Sequence, residues 1–198
     1  MSLNPCPGGN NPERQVPRHS DSPQLNLVFP SITDTNRKNA SNYFDGFVQY
    51  VFQCKLGVAD PICADYISAL LARFLRTENF YRIRTLQGIQ ITDIGGMLRE
   101  IDCRLSEGKA IASAHLGDHL MFCQALFPDA LNQKYRGRED TVDLKIGVIV
   151  SKAYSVAAKI YEGCQNDKAA IYHWLSENTE LCVYGIGEVV SEFRVENN

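Results

Sequence analysis

Apolar residues recur every three or four positions along most of the chain after residue 40, which is the spacing of an amphipathic α-helix. No stretch of useful length alternates between apolar and polar residues, as a half-buried β-strand does. We therefore predict an all-α fold, a compact array of six or seven helices. The predicted helices cover about residues 40–56, 60–76, 92–107, 111–127, 144–163, 167–178 and 179–193.

Local signals indicate where several of these helices begin and end. Asp60 followed by Pro61 is typical of a helix start, since an aspartate caps the first turn and proline suits its first position. Thr92 is predicted to cap the third helix, and Gly57 and Gly108 are predicted to end the first and the third. Two stretches without a helical period are predicted as a loop or short extended piece (77–91) and as an exposed loop (128–143).

The first 36 residues differ in composition from the rest of the chain. They contain six prolines, two adjacent glycines and several asparagines, which disfavour a helix and bury little apolar surface. We predict a Pro/Asn-rich flexible tail over residues 1–36 and a single helical domain over residues 37–198. Within the tail, an apolar patch is a candidate extended arm that docks on the domain: Leu25, Leu27, Val28 and Phe29.

The helix predicted over residues 111–127 contains no lysine, arginine or glutamate; its sequence is IASAHLGDHLMFCQALF. A helix with so little charged surface is expected to lie at the centre of the fold, packed on several sides. Gly117 indicates a close helix crossing, because a glycine inside a helix costs about 1 kcal/mol relative to alanine. Pro128 lacks the backbone N–H that would continue the helix, so we expect the helix to end near Phe127.

Three ionisable side chains lie on this otherwise apolar helix: His115, Asp118 and His119. Positions three and four apart are neighbours on a helix, so both imidazoles and the carboxylate are predicted to converge on one point. Such a ligand set suits Zn²⁺ or non-haem iron. Alternatively, the three are buried polar side chains that hydrogen-bond to one another or to a neighbouring helix, because burial demands a partner.

Candidate partners for this trio come from other predicted helices. If the third helix and the helix over 111–127 form an antiparallel hairpin, Arg99 and Asp102 face the trio. Asp102, Glu107 and His173 are candidates to complete a metal shell. His173 lies next to Trp174 and is otherwise interpreted as a surface or half-buried side chain.

Composition and charge narrow the class of protein. The chain has 198 residues, 44% of them hydrophobic and 22% charged, which is ordinary for a globular domain. The net charge of −3 creates no field that attracts nucleic acid or an anionic membrane, so neither is an expected partner. No signal peptide and no run of about 18 apolar residues is visible, which predicts a soluble cytoplasmic protein. The seven cysteines form no CxxC pair or cluster and are expected to be free thiols in a reducing cytosol.

Two further kinds of site have weaker support. Cys123 lies one turn from His119, but its thiol is predicted to project onto an apolar stripe with Leu116 and Leu120, where burial raises the pKa of a thiol. Three tyrosines either pack in the core or line a pocket for a small apolar molecule: Tyr154, Tyr161 and Tyr172.

One family resemblance rests on the run HLGDHLMFCQALFPDAL, which follows the segment REIDCRLSEG and precedes SKAYSVAAKIY. Over roughly residues 61–163 the chain resembles an uncharacterised group of bacterial all-helical proteins. The resemblance implies an all-helical fold; because the group brings no established activity, it implies no catalytic residues. It depends mainly on His115, Gly117, Asp118, Phe122, Leu126, Phe127 and Pro128.

Two functions fit these observations. The first is a bacterial cytosolic helical domain that acts as a binding or interaction module for a protein or a small apolar ligand, since no complete catalytic constellation is visible. The second is a metal- or haem-dependent helical-bundle enzyme that uses His115, Asp118 and His119 as ligands. A trio sealed by protein hydrogen bonds favours the first, and an open position beside a bound metal favours the second. The sequence does not predict the oligomeric state.

Overall fold

The computed structural model describes residues 40–135, except Leu86, and residues 146–196. The all-α prediction is confirmed, since the described ranges contain helices and no β-strand. The predicted tail over residues 1–36 lies outside these ranges. The described ranges hold eight α-helices: α1 (Ala40–Gln49), α2 (Pro61–Phe74), α3 (Ile94–Cys103), α4 (Ser106–Leu126), α5 (Pro128–Tyr135), α6 (Ile146–Gly163), α7 (Lys168–Glu177) and α8 (Thr179–Glu196).

The ends of the first two helices follow the predicted signals. A π-helical turn, Tyr50–Lys55, extends α1, and Gly57 follows it with a φ of 71°, a conformation that favours glycine. The side chain of Asp60 accepts a hydrogen bond from the backbone N–H of Ile62 at 2.9 Å, and Pro61 occupies the first position of α2. The prediction of a capped start at Asp60 and Pro61 is therefore confirmed.

The predicted boundary between the third and fourth helices is wrong. Asp93, not Thr92, caps α3, because its carboxylate accepts a hydrogen bond from the N–H of Gly96 at 2.7 Å. The helix ends at Cys103, and α4 begins at Ser106. Gly108 consequently lies inside α4; it lacks the positive φ with which a glycine ends a helix.

The segment over residues 128–135 was predicted as part of a loop, but it forms α5. Pro128 ends α4 and also begins α5, since its fixed φ suits the first turn of a helix. The N–H of Leu131 donates to the carbonyl oxygen of Phe127 at 3.0 Å, and the side chain of Leu131 is buried. This helix accounts for the eighth element, and residues 136–143 of the predicted loop lie outside the described ranges.

Helix α4 is the central element of the fold, as predicted. Every residue from 112 to 122 is buried, and the helix packs along α6 and α8 and also contacts α2, α3 and α5. The predicted close crossing at Gly117 is confirmed, because a Cβ atom placed there would lie 2.9 Å from the ring of Tyr154 on α6. Such a separation requires glycine at this position.

Two other segments complete the core. The stretch between α2 and α3 contains a 3₁₀ turn, Thr77–Asn79, and an isolated antiparallel bridge between Arg84 and Gln90, and it buries Phe80 and Ile83. Helix α8 passes the π-helical turn at Gly185, where the ring of Phe52 rests against the backbone. In the part of the chain that the structure describes, no helix has both the length and the apolar content to cross a membrane.

We predict that Gly185→Ala destabilises the fold and that Gly187→Ala does not. A Cβ at position 185 would lie 2.5 Å from the ring of Phe52, whereas the nearest atom to a Cβ at position 187 is a backbone oxygen at 3.9 Å. The crowded variant should lose about 1–3 kcal/mol of unfolding free energy. For Gly187→Ala, the free energy of unfolding should stay unchanged or rise by up to about 1 kcal/mol, because alanine has the higher helix propensity. Urea denaturation followed by circular dichroism measures both, and equal losses would contradict the packing described here.

Candidate functional site

The carboxylate of Asp118 lies at the centre of the molecule and is satisfied on both oxygens by protein donors. The residue is 1% exposed. Its Oδ1 accepts hydrogen bonds from the hydroxyls of Tyr66 at 2.6 Å and Tyr154 at 2.8 Å. Its Oδ2 accepts from Nη1 of Arg73 at 2.5 Å, which also makes an ion pair. We call these four residues the polar centre; it joins α2, α4 and α6.

The helices position these donors through simple spacing. Tyr66 and Arg73 are seven residues apart on α2, which is close to two turns, so both lie on the face that meets α4. Tyr154 reaches Asp118 because Gly117, the residue that precedes Asp118 on α4, has no side chain. The phenol ring of Tyr154 lies against the backbone of Gly117. The absence of a side chain at Gly117 therefore makes room for Tyr154, which donates a hydrogen bond to Asp118.

Burial keeps the two phenols of the polar centre protonated. Burial raises the pKa of Tyr66 and of Tyr154 well above the usual range, and the negative charge of Asp118 raises both further. Both phenols therefore stay protonated and donate to the carboxylate. The side chain of Arg73 is 30% exposed, so solvent reaches the guanidinium at the edge of the polar centre.

A cluster of tyrosine rings packs beside the polar centre. The ring of Tyr172 on α7 stacks on Tyr154 and on Tyr161, with centroid separations of 6.0 and 5.6 Å and interplanar angles of 16° and 17°. The ring of Tyr66 meets Tyr172 edge-on at 5.9 Å. Burial and then the charge of Asp118 raise the pKa of Tyr172 to about 12. The rings contact one another directly, which matches the core-packing interpretation and leaves no room for a ligand between them.

His115 finds its partner on the segment between α2 and α3. Its Nε2 lies 3.3 Å from the carbonyl oxygen of Phe80 and 3.4 Å from the backbone N of Arg82. Either neutral tautomer therefore has a hydrogen-bond partner, a donor in one case and an acceptor in the other. Burial lowers the pKa of His115 against the opposing effect of Asp118, so the imidazole is neutral at pH 7.

His119 lies in an aromatic environment and contacts Cys123. The rings of Phe80 and Tyr81 lie 5.7 and 5.6 Å from its own ring. Its Nε2 is 3.9 Å from Sγ of Cys123, within the range of a weak hydrogen bond to sulfur. The thiol thus contacts the imidazole, a partner that the predicted projection onto the stripe of Leu116 and Leu120 did not include.

The structure gives the three predicted ligands different partners. Asp118 turns to α2 and α6, whereas the rings of His115 and His119 lie 6.5 Å apart and face residues of the 77–91 segment. Among the residues that the structure describes, no three histidine, cysteine, aspartate or glutamate side chains lie close enough to hold a metal ion. The assignment of a metal to these residues stays a prediction.

The other candidate shell residues lie elsewhere. Asp102 is mostly exposed and pairs with Nζ of Lys109 at 3.2 Å, and Arg99 is exposed, so the prediction that they face the trio is wrong. Glu107 is exposed in the first turn of α4. His173 lies 3.4 Å from a carboxylate oxygen of Glu162 at the surface.

Sequence reasoning missed the residues that complete the polar centre. The sequence pattern singles out neither Tyr66 nor Arg73. A signal was present, because Arg73 is a charged residue seven positions after a tyrosine on a helix that is otherwise apolar on that face. The sequence does not show which helix faces Asp118, and that information decides the partners.

A second feature is an open groove bordered by α5, α6 and the junction of α7 and α8. The groove formed by the described residues has a volume of about 1280 Å³. Two apolar side chains line it and remain exposed, Val148 at 45% and Tyr184 at 58%. The carbonyl oxygen of the Gln124 side chain, which also belongs to the lining, is buried and has no hydrogen-bond donor among the described residues. Small-molecule pockets usually measure about 300–1,000 Å³, so this groove has room for a segment of a polypeptide.

Comparison of the chain with protein-family models, with curated proteins and with solved structures found no match. The resemblance to a group of bacterial helical proteins therefore stays a prediction.

We predict that Asp118→Asn strongly destabilises the protein and that Asp102→Asn does not. The first change leaves the partly exposed Arg73 beside a neutral amide, and breaking a buried pair in this way costs up to about 3–5 kcal/mol. The second removes an exposed pair with Lys109, which is worth about 0–1 kcal/mol. The free energies of unfolding of the two variants in urea test this prediction. Similar losses in the two variants would show that the polar centre is not a stabilising element.

Proposed function

We propose that this protein is a non-catalytic helical interaction module that binds an apolar segment of a partner protein in the groove. The observation that supports it is the state of Asp118, whose two oxygens are already occupied by three protein donors. Three of the roughly four acceptor sites of the carboxylate are therefore taken, which supports a structural role in orienting helices. We therefore assign partner binding to the groove bordered by α5, α6 and the junction of α7 and α8.

The groove has the chemistry of a protein-binding surface. Exposed apolar residues are available for burial, each large side chain contributing about 1.5–3 kcal/mol when it is fully covered. Charged and polar residues surround them and suit the polar rim of an interface. A small apolar ligand is the second class of occupant that such a lining accepts. The residues concerned are the exposed Val148 and Tyr184 with the half-buried Leu181 and Val183 for the apolar part, and Lys152, Glu177 and Glu180 for the charged part.

We place this module in the bacterial cytosol. The six cysteines in the described ranges are all free thiols, three of them exposed, which suits a reducing compartment. Burial raises the pKa of the two most buried, to about 11 for Cys63, with a further contribution from Asp60, and to about 12 for Cys182. These two thiols are inert packing groups.

The alternative function, a metal- or haem-dependent enzyme, requires Asp118 to bind a metal in place of its protein donors. A metal or haem iron held by His115, Asp118 and His119 requires the carboxylate to leave Tyr66, Tyr154 and Arg73. Those three donors would then lose their buried acceptor, at a cost of about 1–3 kcal/mol each. No contact made by the described residues favours that rearrangement of Asp118.

We predict that the groove binds the apolar fluorescent dye anilinonaphthalene sulfonate, and that Val148→Ser with Tyr184→Ser weakens this binding about 5–10-fold. The matched control is Tyr50→Ser with Ile62→Ser, which removes two similarly exposed apolar side chains that do not line the groove. Fluorescence titration of the folded proteins measures the affinity. Equal weakening in the two double variants, or no saturable binding at all, would contradict the proposed surface.

A further inference from the structure

We propose that the groove is occupied within the same molecule by the apolar stretch at residues 25–29, which competes there with a partner. The inference rests on the proposed function, because both concern the same groove. Residues 1–39 lie outside the described ranges, so the case depends on the sequence of the stretch, its tether and the chemistry of the groove.

The stretch has the composition that the groove accepts. Four of its five residues are apolar, none is charged, and prolines follow and precede it at positions 30 and 23. A residue before proline is biased toward an extended backbone, whose N–H groups remain available as donors. The exposed Val148 and Tyr184 offer the apolar contact.

The tether is long enough to reach. Helix α1 begins at Ala40, and its Phe44 and Phe47 rings lie 5.9 and 5.8 Å from the ring of Phe193 near the end of α8. Tyr184 is nine residues earlier on α8, which is about 14 Å along the axis. The eleven residue steps from Phe29 to Ala40 span up to about 36 Å.

The segment that joins α5 to α6 is a poorer occupant. Residues 136–145, RGREDTVDLK, carry six charged side chains in ten positions, and burial of unpaired charge is costly. The stretch at 25–29 carries none. Charge therefore favours the N-terminal stretch as the group that covers the apolar lining.

Occupancy within one molecule lowers the apparent affinity of any competitor. A short flexible tether creates an effective concentration in the millimolar range, so even a weak contact is partly formed. The affinity of a competing ligand then falls in proportion to the fraction of grooves left open. Release of the stretch is expected to strengthen dye binding about 2–10-fold.

The test uses the full chain with Leu27→Asp and Phe29→Asp, and a control with Leu3→Asp and Val16→Asp that adds the same charge elsewhere in the N-terminal region. Dye affinity should rise about 2–10-fold in the first variant and stay unchanged in the control. In a second measurement, a photoreactive phenylalanine derivative at position 184 should cross-link to residues 25–29 of the same chain, as mass spectrometry of a mixture of light and isotope-labelled protein shows.

Three results would overturn the inference: unchanged dye affinity in the 27/29 variant, cross-links to residues 136–145 in place of 25–29, or cross-links to 25–29 only between chains. The failures are separable. If the dye affinity falls when Val148 and Tyr184 are replaced but does not change when Leu27 and Phe29 are replaced, occupancy within the molecule is refuted and the proposed function remains. Dye binding that ignores Val148 and Tyr184 refutes the proposed function itself.

Discussion

The fold depends on burying one carboxylate. An ionised aspartate in an apolar interior is unstable unless donors satisfy it, and Asp118 obtains three of them from two neighbouring helices. That requirement fixes where α2 and α6 approach α4. Gly117 admits the ring of Tyr154, and the stack of Tyr172 on that ring extends the same contact to α7.

The helices themselves were largely predictable, because periodicity and capping are local properties. The buried central helix, the start at Asp60 and Pro61 and the long helix from Ile146 to Gly163 all follow from spacing and end signals. Errors arose where two signals competed. Asp93 caps α3 in place of its neighbour Thr92, and Pro128 begins a helix as well as ending one. The π-helical turn after α1 has no counterpart in the sequence pattern; it packs on α8 beside Gly185.

The site was predictable only in part. The spacing identified His115, Asp118 and His119 as polar residues on a buried helix, and all three are buried. It did not identify what faces them, because a helical wheel shows which residues share a face and not which neighbour meets it. Arg99 and Asp102 point to solvent, while Tyr66, Arg73 and the backbone near Phe80 supply the contacts. Those partners are 35 to 52 residues away in the chain.

We propose that the polar centre stabilises the fold and that the groove binds a partner, and the metal content of the protein tests this division most directly. Elemental analysis of protein purified without chelators should be made on the wild type, His119→Ala and Asp118→Asn. We predict no stoichiometric zinc or iron in any of the three, because the oxygens of Asp118 are committed to protein donors. Close to one metal ion per chain in the wild type, lost in both variants, would contradict this and assign the three side chains to a metal site.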